Sequence, residues 1–170
     1  KSLQFDPKRP DQTSHFATGV TVYDTAGTPH VMTMYFNKTD EGVWTWRAMA
    51  KGEEVVGGEK GTMVEQATGK LLFDSDGRLK EQITDKSTFN FNKGALPDQE
   101  IRFNFGVDKA NGGGGVEVTQ YGTASEAYKT IQDGYTAGTL SGLTFNDDGG
   151  LAAIYSNGQN ITLAQVALAK

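Results

Sequence analysis

The sequence predicts an all-β protein with little helix, made of a β-barrel-like or sandwich-like domain and a second β-rich unit. Short segments in which apolar and polar residues alternate recur along the chain, as they do in half-buried strands. Turns rich in glycine separate these segments, and 22 of the 170 residues are glycine. Helical signals are weak, the clearest being a capping-box pattern at Thr123-x-x-Glu126 before a short segment near 124–131.

The first predicted elements form a meander. VTVYD (20–24) and VMTMYF (31–36) alternate as strands, and the segment between them contains Gly27 and Pro29, which are turn residues. VWTWRAM (43–49) follows after a tight connection and places its two tryptophans on one face.

The middle of the chain predicts further strands. LLFDSDGRLKEQI (71–83) is a hairpin candidate, with Asp76-Gly77 at the turn positions that favour positive φ. STFNFN (87–92) places both phenylalanines on one side, and IRFNFGV (101–107) is the most regular alternation in the chain. VEVTQY (116–121) is the next candidate strand.

The last part of the chain contains a strand candidate at 143–146, the turn DDGG (147–150) and a second strand candidate at 151–159. ITLAQVALAK (161–170) is compatible with helix or strand. Composition changes near residue 122, because charged and glycine-rich loops precede it and a segment rich in Ala, Thr and Gly follows. We therefore predict a boundary between two structural units near residue 122.

Charge and composition exclude several function classes. The net charge is −5 and the 16 Lys and Arg residues are scattered, which argues against nucleic-acid binding. The chain contains no cysteine, so disulfides, thiolate nucleophiles and cysteine-ligated zinc are absent. No apolar run approaches the roughly 20 residues of a membrane helix. The chain begins at Lys1 without a signal peptide or Met, which we expect of a fragment or processed product.

No catalytic, cofactor or metal site is predicted. The two histidines, His15 and His30, lack any motif context, and His30 is expected to be an exposed residue beside a turn. FDSDGRLKEQITD (73–85) fails the calcium-loop pattern, because Leu72 and Ile83 occupy positions that need acidic ligands. GGEKGT and NGGGG do not fit a phosphate loop, and both are predicted as flexible surface loops.

Two other function classes stay open on the residues alone. Trp44 and Trp46, with Tyr23 and Tyr35, would form a sugar-stacking platform of a carbohydrate-binding module if they faced solvent, although aromatics that alternate along strands more often fill a core. A small β hydrolase would need a carboxylate pair formed by folding. Glu53-Glu54 lies in a loop that is a poor place to hold such a carboxylate.

Three segments together resemble the flagellar hook proteins of bacteria. They are ATGVTVYDTAGTPHVMTMYFNKTDEGVWTW (17–46), KLLFDSDGRL (70–79) and QYGTASEAYKTIQDGYTAGTLSGLTFNDDGGLAAIYSNGQNITLAQVALA (120–169). They occur in the family's order and cover most of the chain. Ala164 and Ile154 stand where the family usually has glycine, and the chain ends at Lys170 where the family continues with Asn-Phe. These departures put local turn or packing details in doubt.

The resemblance implies a set of functional residues. The hinge candidates in QDGYTAGTL (132–140) are Asp133, Gly134, Tyr135, Gly138 and Leu140. The other residues that match the family pattern are Tyr23, Asp24, Gly27, Tyr155, Ser156, Asn157, Gly158 and Gln165. In this interpretation the two glycines of the hinge bend the backbone between two domains, while its tyrosine and leucine each pack into a core.

The resemblance also implies a structural subunit without an active site or cofactor. Hook subunits are exported without a cleaved signal peptide and polymerise outside the cell into a curved tube that transmits torque as a universal joint between rod and filament. The implied partners are copies of the same protein and other flagellar axial, cap and junction proteins, with no nucleic acid and no membrane. Distal rod subunits are the most similar alternative. The family's terminal amphipathic helices are missing, so we expect a central fragment. The resemblance implies that 1–122 is the outer β domain of a hook subunit and that 123–170 contains the connection and a partial inner β domain.

Overall fold

The computed structural model describes residues 4–106, 118–120, 125–127 and 130–166 and consists of two antiparallel sheets. The strands are β1 (Phe16–Tyr23), β2 (Pro29–Asp40), β3 (Val43–Lys51), β4 (Met63–Phe73), β5 (Leu79–Ser87), β6 (Leu140–Phe145), β7 (Gly150–Tyr155) and β8 (Asn160–Gln165). The first five strands form one sheet in chain order, and the last three form the other. The described residues include only two short 3-10 helices, Pro10–Gln12 and Gly52–Glu54. The all-β prediction with little helix is confirmed.

Within each sheet every strand pairs with the next one along the chain, and short turns connect β1 to β2, β2 to β3 and β4 to β5. Gly27, Gly42 and Gly77 occupy the turns after β1, β2 and β4 with φ of 77°, 66° and 76°. This left-handed region is readily accessible to glycine and costly for most other residues. The predicted meander and the predicted hairpin at 71–83 are therefore confirmed.

The core lies on one face of the five-stranded sheet, under the segment that follows β5. We call residues 87–106 the cover segment. Trp46 at the centre of the sheet is fully buried, and Phe89 of the cover segment is equally buried. Phe103 packs against both, with ring centroids 5.5 Å and 6.1 Å away. Aromatic packing of this kind supplies a large buried apolar area and explains why the alternating phenylalanines lie on one side.

The prediction of a strand at 101–107 is wrong for residues 101–106, which are irregular. The side chain of Gln82 on β5 takes the place of a partner strand, since its amide nitrogen donates to the carbonyl of Phe103 and its oxygen accepts from the N–H of Phe105 at 3.1 Å. The hydroxyl of Ser87 donates in the same way to the carbonyl of Ile101. The segment keeps its alternation and buries its aromatic side chains without joining the ladder.

Residues 4–14 cross the other face of the first sheet. Phe5 packs on Tyr35 with centroids 5.9 Å apart, and the guanidinium of Arg47 lies 4.4 Å from the centre of the Phe5 ring. The hydroxyl of Tyr35 donates to Asp11 Oδ1 at 2.9 Å. Burial, reinforced by the hydrogen bond to Asp11, raises the pKa of Tyr35 to about 12.

The second sheet is packed less completely within the described residues. Ala152 and Ala153 of β7 are buried, but Leu143, Phe145 and Leu163 on the flanking strands are each more than half exposed. The segment ITLAQVALAK, which was compatible with helix or strand, forms β8 as far as Gln165.

Some predicted features lie outside the described residues. These features are Thr123 of the capping box, the NGGGG stretch, the proposed boundary near residue 122 and half of VEVTQY. Thr119, which is described, forms an isolated bridge with Arg78, and Glu126 is not in a helix.

Candidate functional site

Two turns, one from each sheet, converge on the segment that connects the sheets. We call residues 130–139 the linker, and we call the linker together with the β1–β2 turn (24–28) and the β7–β8 turn (156–159) the joint. The joint contains most of the residues that the sequence singled out, although they are far apart along the chain.

The β1–β2 turn is shaped by Asp24. Its backbone N–H donates to the carbonyl of Thr28 at 3.0 Å, and its Oδ1 accepts from the N–H groups of Ala26 and Thr28, each at 2.8 Å. Burial by itself raises the pKa of this carboxyl, but hydrogen bonds from His30, Thr28 and Ala26 outweigh burial and leave the pKa below its usual value. A short carboxylate side chain of this type is well suited to closing a turn.

The linker approaches this turn so closely that only glycine fits. A Cβ atom on Gly27 would overlap the backbone nitrogen of Ala137 and lie 2.9 Å from the carbonyl carbon of Thr136. A Cβ on Gly134 would lie 2.8 Å from Cδ2 of Tyr23, the last residue of β1. The linker therefore lies directly against the first sheet, because Gly27 and Gly134 have no side chain that would keep the two segments apart.

The β7–β8 turn holds the other side of the linker. Asn157 Nδ2 donates to the carbonyl of Thr136 at 2.7 Å, and a Cβ on Gly138 would lie 2.5 Å from Cγ of Asn157. The N–H of Ser156 donates to the carbonyl of Thr139 at 2.8 Å, and the N–H of Thr139 donates to Ser156 Oγ at 3.0 Å. Four polar and close-packed contacts thus connect the linker to the second sheet.

The structure brings together six of the residues carried over from the family pattern, namely Tyr23, Gly27, Gly134, Gly138, Ser156 and Asn157. Asp24 and Gly158 shape the two turns, and the φ of Gly158 is 82°. Tyr155 ends β7 and pairs with Leu140. Asp133 is exposed. Gln165 lies apart from the joint, where its side chain donates to the carbonyl of Asp148 at 3.3 Å.

The predicted anchoring by Tyr135 and Leu140 is wrong within the described chain, because these residues are 52% and 56% exposed. Neither Gly134 nor Gly138 has a positive φ, and the bend predicted at these two glycines stays a prediction. Their small size matters because Tyr23 and Asn157 occupy the space that a side chain would need. The linker is held by hydrogen bonds and close backbone approach, and large apolar side chains do not anchor it.

Sequence reasoning missed the role of His30, which is only 5% exposed and not the surface residue we expected. Its Nε2 lies 3.0 Å from Asp24 Oδ2 and its Nδ1 lies 3.0 Å from Glu54 Oε2. The ring stacks on Phe91 with centroids 3.9 Å apart. The partners are distant in sequence, so no local pattern marks them. Glu54, which we judged poorly placed, is held by this contact.

The carbohydrate platform is also wrong. Trp46 is fully buried in the core and offers no face to a ligand. Trp44 is half-buried, donates from Nε1 to Gln120 Oε1 at 2.8 Å and meets His15 edge-on. Both tryptophans support the sheet.

The loop predictions have different outcomes. Asp74 Oδ1 accepts from the N–H groups of Asp76 and Arg78 at 2.9 Å and 3.0 Å, as in a hairpin turn. The GGEKGT loop, predicted to be flexible, returns to the 3-10 helix Gly52–Glu54, since the N–H of Gly52 donates to the carbonyl of Thr62 at 2.8 Å. Over the described ranges, no group of three or more His, Cys, Asp or Glu side chains is arranged to hold a metal ion. Those ranges also contain no helix with the length and apolarity to cross a membrane.

Comparisons with known proteins agree on one family. The family model described as the Flagellar basal body protein FlaE D2 domain matches residues 1–135. The Flagellar hook protein FlgE of Helicobacter pylori is 34% identical over 154 residues, which are 90% of this chain and 21% of that protein. The Flagellar hook protein FlgE of Salmonella typhimurium is 29% identical over 150 residues, 88% of this chain and 34% of that protein. The chain thus spans about a fifth to a third of the length of these relatives.

Proposed function

The chain belongs to the flagellar hook protein family, and we propose from this that it is the central part of a structural subunit that polymerises into the hook. The observation that carries the proposal is the family match over residues 1–135. In this proposal the chain is not an enzyme. Its function is to keep a defined shape inside a curved tube and to transmit torque between rod and filament.

The joint supports this role. A subunit in a tube that bends while it rotates must transmit force between its inner and outer parts without losing their relative placement. The contacts of Gly27 and Asn157 with the linker provide a connection of this kind, because they involve backbone atoms and short side chains from both sheets. The surfaces between subunits have a different requirement. Polar contacts, which form and break at low cost, suit surfaces that slide past neighbouring subunits.

We further propose that residues 1–122 form the outer domain and that 123–170 lead into the inner domain. The exposed apolar side chains of the second sheet, among them Leu143, Phe145 and Leu163, support this division. A sheet with such a face needs a covering layer to be stable in water. The relatives are three to five times longer than the matched region, and their additional length is sufficient to supply that layer.

Location and partners follow from the same proposal. The subunit would lie in the flagellar hook outside the cell, exported without a cleaved signal peptide. Its main partner would be further copies of itself, with other axial, cap and junction proteins of the flagellum at the ends of the tube.

Assembly of the full-length gene product that contains this chain tests the proposal. Purified protein is polymerised and viewed by electron microscopy. We expect hollow tubes with the curvature of a hook. Straight tubes would indicate a rod subunit, and a protein that stays monomeric under conditions that polymerise a hook protein of known function would contradict the proposal.

A further inference from the structure

His30 is held between two carboxylates, and this arrangement determines which hydrogens the ring carries. Ionised carboxylates only accept hydrogen bonds, so each ring nitrogen within bonding distance of one must donate. Nε2 faces Asp24 and Nδ1 faces Glu54, both at 3.0 Å. A neutral ring would direct one lone pair at a carboxylate oxygen. A ring that carries both hydrogens donates to both carboxylates and places one positive charge between two negative charges.

The surroundings make this charge arrangement effective. The side chains of His30 and Asp24 are 6% and 1% exposed, whereas that of Glu54 is 27% exposed. Charge-assisted hydrogen bonds are stronger than neutral ones, and burial reduces screening by water. The groups that hydrogen-bond to or stack on His30 are Asp24 from the β1–β2 turn, Glu54 from the 3-10 helix Gly52–Glu54 and Phe91 from the cover segment. Only the first two carry charge.

The two carboxylates on either side of His30 connect it to different segments, Asp24 to the β1–β2 turn and Glu54 to the cover segment. Asp24 uses Oδ2 for His30 and Oδ1 for the turn that presents Gly27 to the linker. On the other side, the carbonyl of Glu54 accepts from the N–H of Asn92 at 2.9 Å, which fixes this loop to the cover segment. The β1–β2 turn also contacts the cover segment directly, because the N–H of Leu96 donates to Thr25 Oγ1 at 2.6 Å.

We propose that Asp24, His30 and Glu54 form a charged clamp that sets the position of the β1–β2 turn, so that the linker is held on this turn only while His30 carries both ring hydrogens. His30 is a positioning residue in this proposal, since it acts on the linker through Asp24 and Gly27. The inference deepens the joint part of the proposed function and rests on it.

The sign of the pH effect follows from the geometry. Removal of one ring hydrogen as the pH rises leaves a lone pair facing a carboxylate and opens the clamp. Hydrogen bonds hold the pKa of Asp24 below its usual value, so this carboxylate keeps its charge further into acid than an ordinary aspartate does.

Two measurements on the 170-residue chain test the proposal. Nuclear magnetic resonance of ¹⁵N-labelled histidine rings counts the hydrogens on His30, and hydrogen exchange measures the N–H groups of Ala26, Gly27 and Thr28 in the turn. We expect both ring nitrogens of His30 to carry hydrogen in the folded chain. We also expect Glu54→Gln to accelerate exchange of the turn on the order of tenfold, as loss of a charge-assisted hydrogen bond implies, while exchange in β3 and β4 stays unchanged.

His15→Gln is the matched control. His15 is exposed, lies at the opposite end of the β1–β2 pair and accepts only from the N–H of Lys38 among its described hydrogen bonds. We expect this change to leave the turn and the linker unaffected, whereas His30→Gln accelerates their exchange together. If His30→Gln does not fold, Glu54→Gln and a pH series on the unchanged chain decide the question. A single hydrogen on the His30 ring, or turn exchange that Glu54→Gln leaves unaltered, would overturn the clamp.

These measurements are independent of polymerisation. A failed clamp in a protein that still forms curved tubes would leave the hook assignment intact. A confirmed clamp in a protein that forms no tubes would contradict the proposed hook function, and the clamp would remain a property of the fold.

Discussion

Single glycines determine how closely the two sheets can approach the linker, and Gly27 is the clearest case. It has a φ of 77° and its missing Cβ leaves room for the backbone of Ala137. Gly57 has almost the same φ, 76°, but nothing lies within 4 Å of the position that its Cβ would occupy. A comparison of substitutions at Gly27 and Gly57 therefore separates the cost of a positive φ from the cost of filling the space beside the linker.

We predict that Gly27→Ala lowers the free energy of unfolding by more than Gly57→Ala does. Both changes carry the strain of a left-handed residue, about 1–2 kcal/mol, but only the first also displaces the linker. Urea unfolding measures the stabilities, and hydrogen exchange at the N–H of Thr139 measures the linker. Equal losses for the two variants, with the linker unaffected, would show that Gly27 is required for its φ alone.

Tyr35 gives a prediction in the alkaline range. Its pKa is raised to about 12 in the folded chain because the phenol is buried and faces Asp11. The unfolded phenol ionises near pH 10, so the folded state is favoured fully below pH 10 and loses stability as the pH rises from 10 towards 12. Tyr35→Phe should flatten this part of the stability curve. Ultraviolet titration of the phenolates should show one late ionisation, near pH 12, that is absent in Tyr35→Phe. In Asp11→Asn the pKa of Tyr35 should fall but stay raised, because burial is the larger cause and remains.

At the scale of the element, the cover segment depends on Gln82 because a side chain replaces a partner strand. We predict that Gln82→Ala loosens residues 101–106 and costs about 1–3 kcal/mol, since the N–H of Phe105 is left without its partner. Lys80→Ala on the same strand is the control, as Lys80 is exposed. Near-ultraviolet circular dichroism reports the packing of Phe103 on Trp46. Equal stability of the two variants would contradict this role for Gln82.

The linker is the second element that can be tested directly. Gly134→Val should shift the linker away from Tyr23, because the added side chain begins 2.8 Å from the tyrosine ring. We predict a larger effect on the relative placement of the two sheets than on the stability of either. Gly142→Val in β6 is the control, since nothing lies within 4 Å of its Cβ position. Unchanged chemical shifts at Gly27 and Asn157 in Gly134→Val would refute the prediction.

At the scale of the whole molecule, local rules explain most of the strands. Alternation in 31–36 and 43–49 marked β2 and β3 because one face of this sheet packs a core. Glycine at positions 27 and 77 marked two turns because positive φ is a local requirement. These features depend on neighbours along the chain, which a single sequence displays.

The features that sequence reasoning missed depend on distant partners. The segment 101–106 alternates like a strand, but the side chain of Gln82 intercepts its backbone groups. His30 stands beside a turn, where exposure is usual, but Glu54 and Phe91 enclose it. Tyr135 and Leu140 look like anchors by residue type, yet the described chain leaves them exposed. In the first two cases the deciding interaction comes from a separate element of the chain.

We expect the joint to hold the two sheets at one fixed placement. Residual dipolar couplings measured on the 170-residue chain test this expectation, because they report the orientation of each sheet in a common frame. We predict that one alignment tensor fits the N–H groups of β1–β5 and β6–β8 together, and that two tensors are needed after Gly27→Ala. Two independent tensors in the unchanged chain would show a flexible connection and exclude a rigid joint.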